Sequence, residues 1–143
     1  NGLRGLRGTL PGALFVWQNR RLASLDGLEG LTGIAGKRTW AQSLTIYNND
    51  ALTSLTGLRG LRGAILGNLY IISNPELASL AGLEGLDGAE SLTIRHMPKL
   101  CLSADDRARL ASGIAISGGG SVNLHRKFGF GNKGPIGTFD GRD

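Results

Sequence analysis

The chain has 143 residues, 41% of them hydrophobic and 19% charged, which is enough for one domain with a core. No run of about 18 apolar residues occurs, so no membrane-spanning helix is expected, and a single cysteine excludes an internal disulfide framework. The formal net charge is +5, and glycine is over-represented at 24 residues, gathered at regular positions and in the last third.

Residues 1–27 read as a first coil. Leu3-Arg4-Gly5-Leu6-Arg7-Gly8 opens it, and Leu14, Val16, Asn19, Leu22 and Leu25 follow. Residues 28–57 repeat the order with Leu28-Glu29-Gly30-Leu31-Thr32-Gly33, then Leu44, Ile46, Asn49, Leu52 and Leu55. A longer run through Lys37, Arg38 and Trp40 predicts a loop that bulges before the second strand and is a candidate contact. Gly36-Lys37 is not a phosphate loop, because Leu31 stands where that motif needs its first glycine and Arg38 where it needs Ser or Thr. The third coil, 58–82, is the clearest copy, from Leu58-Arg59-Gly60-Leu61-Arg62-Gly63 to Leu69-Tyr70-Ile71-Ile72-Ser73-Asn74-Pro75-Glu76-Leu77-Ala78-Ser79-Leu80. A fourth begins with Leu83-Glu84-Gly85-Leu86-Asp87-Gly88 and continues, degraded, through Leu92, Ile94, Met97 and Leu100. Two signatures in a fixed order at strand starts 14, 44, 69 and 92 predict a solenoid.

The chain then changes character. Ser103 as N-cap, Asp106 three residues on, acids in the first turn and Gly113 at the end predict a short capping helix over 103–112. Residues 1–112 are therefore taken as repeats plus cap, and 113–143 as a Gly-rich extension. Within the extension, Ile114 to Ile116 and Val122 to Leu124 fit one more strand or half coil. Because the chain enters the repeat at once, the expectation is that it is a fragment, or that another segment or a partner covers coil one.

Alternation within each strand places Leu69 and Ile71 on one side and Tyr70 and Ile72 on the other. Asn after the strand suits a tight bend, where its amide satisfies backbone groups that the turn leaves unpaired. Coils then stack about 4.8 Å apart through sheet pairing. Arg4, Glu29, Arg59 and Glu84 alternate in sign from coil to coil, as do Arg7, Arg62 and Asp87 with Thr32 between, so arginines are expected to face carboxylates across adjacent coils. Arg20 beside Asp50 and Glu76 beside Lys99 extend the idea. The positive charge is accordingly read as structural, with an RNA or DNA surface as the minor alternative. Cys101 is expected to be a small buried hydrophobe between Leu100 and Leu102.

No catalytic set, cofactor site or metal site is read from the sequence. His96 and His125 stand alone, Asp105 and Asp106 are assigned to capping, and Asn48, Asn49 and Asp50 lack the spacing of a calcium loop. The feature that calls for a function is the outward strand face: Phe15, Trp17, Thr45, Tyr47, Tyr70, Ile72, Thr93 and Arg95. Half-exposed strands use such residues for cross-strand packing, yet a contiguous apolar patch also marks contact sites. The expectation is a non-enzymatic module that binds a protein partner or neighbouring subunit through Phe15, Trp17, Tyr47, Tyr70, Ile72 and Arg95, with Lys37, Arg38 and Trp40 on the bulge. A structural repeat subunit in a large assembly is the alternative, and a carbohydrate-binding or adhesion module the third.

The unit L-x-I-x-x-N-x-x-L-x-S-L, with Lys99-Leu100-Cys101 and a helix after it, resembles the receptor L-domain of insulin-receptor and epidermal-growth-factor-receptor ectodomains over about Leu3 to Ser112. The resemblance implies a right-handed parallel β-helix of about four coils, a sheet face that binds proteins or glycans, no catalysis, and an extracellular or cell-surface location. Family members are usually cysteine-rich and glycosylated, whereas Cys101 has no partner and no Asn-x-Ser/Thr sequon occurs, so an intracellular assembly is the other location considered.

Overall fold

The structure, a computed structural model, describes residues 4–36, 42–89, 91–104, 115–116 and 122–125. It is a mainly β, parallel β-solenoid of about three turns. One face is a five-stranded sheet. Its strands are β2 (Leu14–Trp17), β4 (Gln42–Tyr47), β6 (Asn68–Ile72), β8 (Ser91–Arg95) and β10 (Val122–His125), which neighbour one another in that order and run parallel throughout. Leu14 lies opposite Leu44, Leu44 opposite Leu69, and Leu69 opposite Leu92, as the repeat spacing requires. A slip of one residue would turn every leucine to the other face, so this register is held by the core itself.

Inside, the leucines form one continuous column set. Leu44, Ile46, Leu52, Leu55, Leu58, Leu77 and Ile71 are each 0% exposed. Burial of each such side chain stabilises by about 1.5–3 kcal/mol relative to leaving it in water. The chain reaches them through the same turns on each coil. Leu22 N–H donates to Asn19 O, Leu52 to Asn49 O, Leu77 to Asn74 O and Leu100 to Met97 O, at 3.1–3.2 Å. A second step carries Leu28 to Leu25 O, Leu58 to Leu55 O and Leu83 to Leu80 O, and a third carries Leu31 to Leu28 O, Leu61 to Leu58 O and Leu86 to Leu83 O.

A second face, formed around the Leu-x-Gly signatures, is also β. It comprises β1 (Gly8–Leu10) with β3 (Leu31–Ile34), and separately β5 (Gly63–Ala64), β7 (Leu86–Ala89) and β9 (Ala115–Ile116). The break between β3 and β5 coincides with a sequence period longer than the single coil. Residues 3–33 recur as 58–88, a shift of 55 residues, with Leu3-Arg4-Gly5-Leu6-Arg7-Gly8 unchanged as Leu58 to Gly63. The backbone repeats with it. Gly8 faces Leu31 and Gly63 faces Leu86, both pairings then slip by one residue, and the two glycines hold φ of 76° and 74°. The 55-residue repeat is thus matched in the backbone over these two strand pairs, and the solenoid makes about three turns where about four coils were expected.

Two further expectations need correction. Cys101 is exposed, because it follows inward Leu100 and so falls in the outward column Ala23, Thr53, Ala78 and Cys101; its N–H donates to Ala78 O at 2.9 Å. Among the described residues the arginines are not paired with carboxylates at the Leu-x-Gly positions. Glu29 instead accepts from Gly27 N–H and Glu84 from Gly82 N–H, each bracing its own corner, while Arg62 donates to Arg59 O and Leu61 O. Among the described residues the ion pairs are Arg20–Asp50, at 3.8 Å, and Glu76–Lys99, both of which the repeat spacing anticipated. Gly60 and Gly85 are needed for space. A Cβ on Gly60 would strike Glu29 O and Leu31 O of the preceding coil, and one on Gly85 would strike Leu61 O. The helix expected over 103–112 lies outside the described residues beyond Ala104.

Candidate interaction face

Strand pairing brings the outward residues into two columns. Phe15, Thr45, Tyr70 and Thr93 stand opposite one another in turn, and so do Trp17, Tyr47, Ile72 and Arg95. Sequence reasoning found this arrangement because period-two alternation and a constant repeat offset together determine both face and neighbour. The second column ends, on each coil, at a residue with left-handed backbone: Gln18, Asn48, Ser73 and His96 have φ of 57°, 54°, 55° and 54°. The bend itself is expected from the asparagine that follows, but its left-handed backbone is not, since none of the four is glycine. In the first three coils the backbone N–H at this position reaches the next strand's end, Gln18 to Tyr47 O, Asn48 to Ile72 O and Ser73 to Arg95 O, at 2.9–3.2 Å.

Behind the turn lies a ladder of asparagines that ties the face to the core. Asn19 N–H donates to Asn49 Oδ1 and Asn49 N–H to Asn74 Oδ1, both at 3.1 Å. Asn49 Nδ2 donates to Val16 O and Asn74 Nδ2 to Ile46 O, both at 3.0 Å. Asn49 and Asn74 are fully buried, so the bonds between them and to Val16 O and Ile46 O replace water that cannot enter. On the fourth coil Met97 occupies the place and is buried as an apolar residue.

The face is less open than the sequence implied. Trp17 is 57% exposed and its ring lies 6.4 Å from that of Tyr47 at 56°, a tilted pair within ordinary aromatic contact range. Phe15, Tyr47, Tyr70, Ile72 and Arg95 are half-buried, and Thr93 is buried at 6%. Among the described residues, Thr45 Oγ1 and Arg95 Nε are shielded from solvent without a hydrogen-bond partner. The open aromatic surface is therefore concentrated at the β2 edge and does not form a uniform stripe. Lys37, Arg38 and Trp40 lie outside the described residues.

Elsewhere, Glu29, Arg59, Gly60, Arg62, Glu84 and Gly85 line a shallow groove of mixed charge on the side of the Leu-x-Gly signatures. His96 is exposed and its Nδ1 lies 3.4 Å from Ser73 Oγ. Among the described residues no three His, Cys, Asp or Glu side chains converge to hold a metal, and no helix is long and apolar enough to cross a membrane. No protein-family model matches the chain, nor is any curated protein or solved structure significantly similar to it.

Proposed function

We propose that the chain is a non-enzymatic interaction module whose outer strand face docks a protein partner, with Trp17 and Tyr47 as the anchor. The observation behind the proposal is Trp17: a large amphipathic side chain, more than half exposed, on a rigid parallel sheet, steadied by a neighbouring ring. Anchors of this kind recur at interface centres because a rigid aromatic loses little conformational freedom on burial. Tyr70, Ile72, Phe15 and Arg95 would form the flank, and Lys37, Arg38 and Trp40 a rim.

The repeat order L-x-I-x-x-N-x-x-L-x-S-L favours the L-domain arrangement, and with it a right-handed coil, a capping helix and a cell-surface setting. The parallel register and the asparagine turn are compatible with that arrangement. The test is capture of binding proteins from extracellular and intracellular extracts by the chain and by Trp17→Ser with Tyr70→Ser. Both sites face outward, so the variant keeps its fold by circular dichroism. Loss of a partner supports the module, and retention of every partner removes the outer face from consideration. Binding of glycans and not proteins, by array, would favour the carbohydrate reading.

A further inference from the structure

The shift of 55 residues supplies an internal control for one end of the solenoid. Coil three has a neighbouring coil on either side, through β4 and β8, whereas β2 is the edge strand of its sheet. The same residue types therefore occur once covered and once uncovered. Leu61 is 1% exposed and its counterpart Leu6 is 38% exposed. Leu69 and Leu77 are fully buried, while Leu14 and Leu22 are only partly so. Asn74 is fully buried and Asn19 is exposed.

Edges that must remain bare carry charges, proline or bulges. Strand β2, Leu14-Phe15-Val16-Trp17, has none of these. Its asparagine is also set as its covered counterpart is: Asn19 Nδ2 donates to Trp17 O at 3.0 Å, as Asn74 Nδ2 does to Ile72 O at 3.1 Å. On coil three, Asn74 Oδ1 receives both the N–H and Nδ2 of Asn49 from coil two. Asn19 Oδ1 receives nothing among the described residues.

From this we infer that the β2 end of the solenoid is a docking face for a further parallel coil of the coil-two type, which brings an asparagine N–H to Asn19 Oδ1 and apolar side chains over Leu14 and Val16. The occupant is identified by what fills the identical face inside this molecule. There, Leu44, Ile46 and Asn49 of coil two stand opposite Leu69, Ile71 and Asn74. The inference rests on the stacking and is independent of the outer aromatic face.

The test inserts a second copy of residues 3–57 between Gly2 and Leu3 of the full chain, which reproduces the native Gly57–Leu58 junction. The enlarged chain is expected to unfold in one cooperative transition above the parent's, with amide exchange at Phe15 to Trp17 slowed about tenfold or more. A copy carrying Leu44→Asp and Asn49→Ala is expected to give no such protection. Separate unfolding of the added copy, or equal protection by the substituted copy, would overturn the inference. So would concentration-dependent dimerisation of the parent that Leu14→Arg abolishes, because the face would then belong to a second molecule.

Discussion

Asn49 and Asn74 are joined twice: the backbone N–H and the side-chain Nδ2 of Asn49 both donate to Oδ1 of Asn74, each at 3.1 Å. One carboxamide thus fastens two coils and leaves its own Nδ2 for Ile46 O and Ile72 O. The arrangement needs an acceptor and a donor on the same small side chain, and both asparagines are fully buried. Asn49→Ala strands Val16 O and Asn19 N–H and is expected to lower stability by about 3 kcal/mol. Asn49→Asp costs more at neutral pH, because a buried charge then faces Val16 O and Asn74 Oδ1, both acceptors. Asn19→Ala, at the solvated end, costs under about 1 kcal/mol. Urea unfolding of the three variants measures the order.

Glycine tolerance should differ sharply between positions of similar sequence context. Gly82 has φ of 110°, and a Cβ there would overlap Leu55 O. Gly82→Ala is therefore expected to destabilise by about 3 kcal/mol or more, because neither the backbone angle nor a carbonyl of the adjacent coil can yield. At Gly5 a Cβ meets nothing within 4 Å. Gly5→Ala is expected to stay within about 0.5 kcal/mol, and thermal unfolding compares the two.

The left-handed turn at Gln18 has an exposed side chain and φ of 57°. Gln18→Gly relieves the Cβ penalty and is expected to raise stability by a few tenths to about 1 kcal/mol, offset by the greater freedom of glycine in the unfolded chain. Gln18→Val, branched at Cβ, is expected to lower it by about 1–2 kcal/mol. Opposite signs in paired melts are the outcome that checks the turn; equal signs would contradict it.

Ion pairs contribute little here. Arg20 and Asp50 have side chains 86% and 58% exposed and stand 3.8 Å apart. Asp50→Ala is expected to change stability by under about 1 kcal/mol, and by less still in high salt. Leu44→Ala, at 0% exposure and with no route for the core to collapse, is expected to cost about 3–5 kcal/mol. Denaturation midpoints at low and high ionic strength separate the two effects.

The repeat was written plainly in the leucines and asparagines. Their offsets alone place Leu14, Leu44, Leu69 and Leu92 in one column and predict the two outward columns, because strand alternation and a fixed repeat leave a single register that buries the apolar set. The pairs Arg20–Asp50 and Glu76–Lys99 followed from the same offsets. What tertiary structure decided is how each position is used once coils press together. The close approach of backbones decides why Gly60 and Gly85 have no side chain, and the nearest unpaired amide decides that Glu29 and Glu84 brace corners when arginines stand one coil away. Position past an inward leucine puts Cys101 in water, and stacking between coils leaves Trp17 open while it buries Thr93. Local pattern determines direction, and only the neighbouring coil determines whether anything is there to meet it.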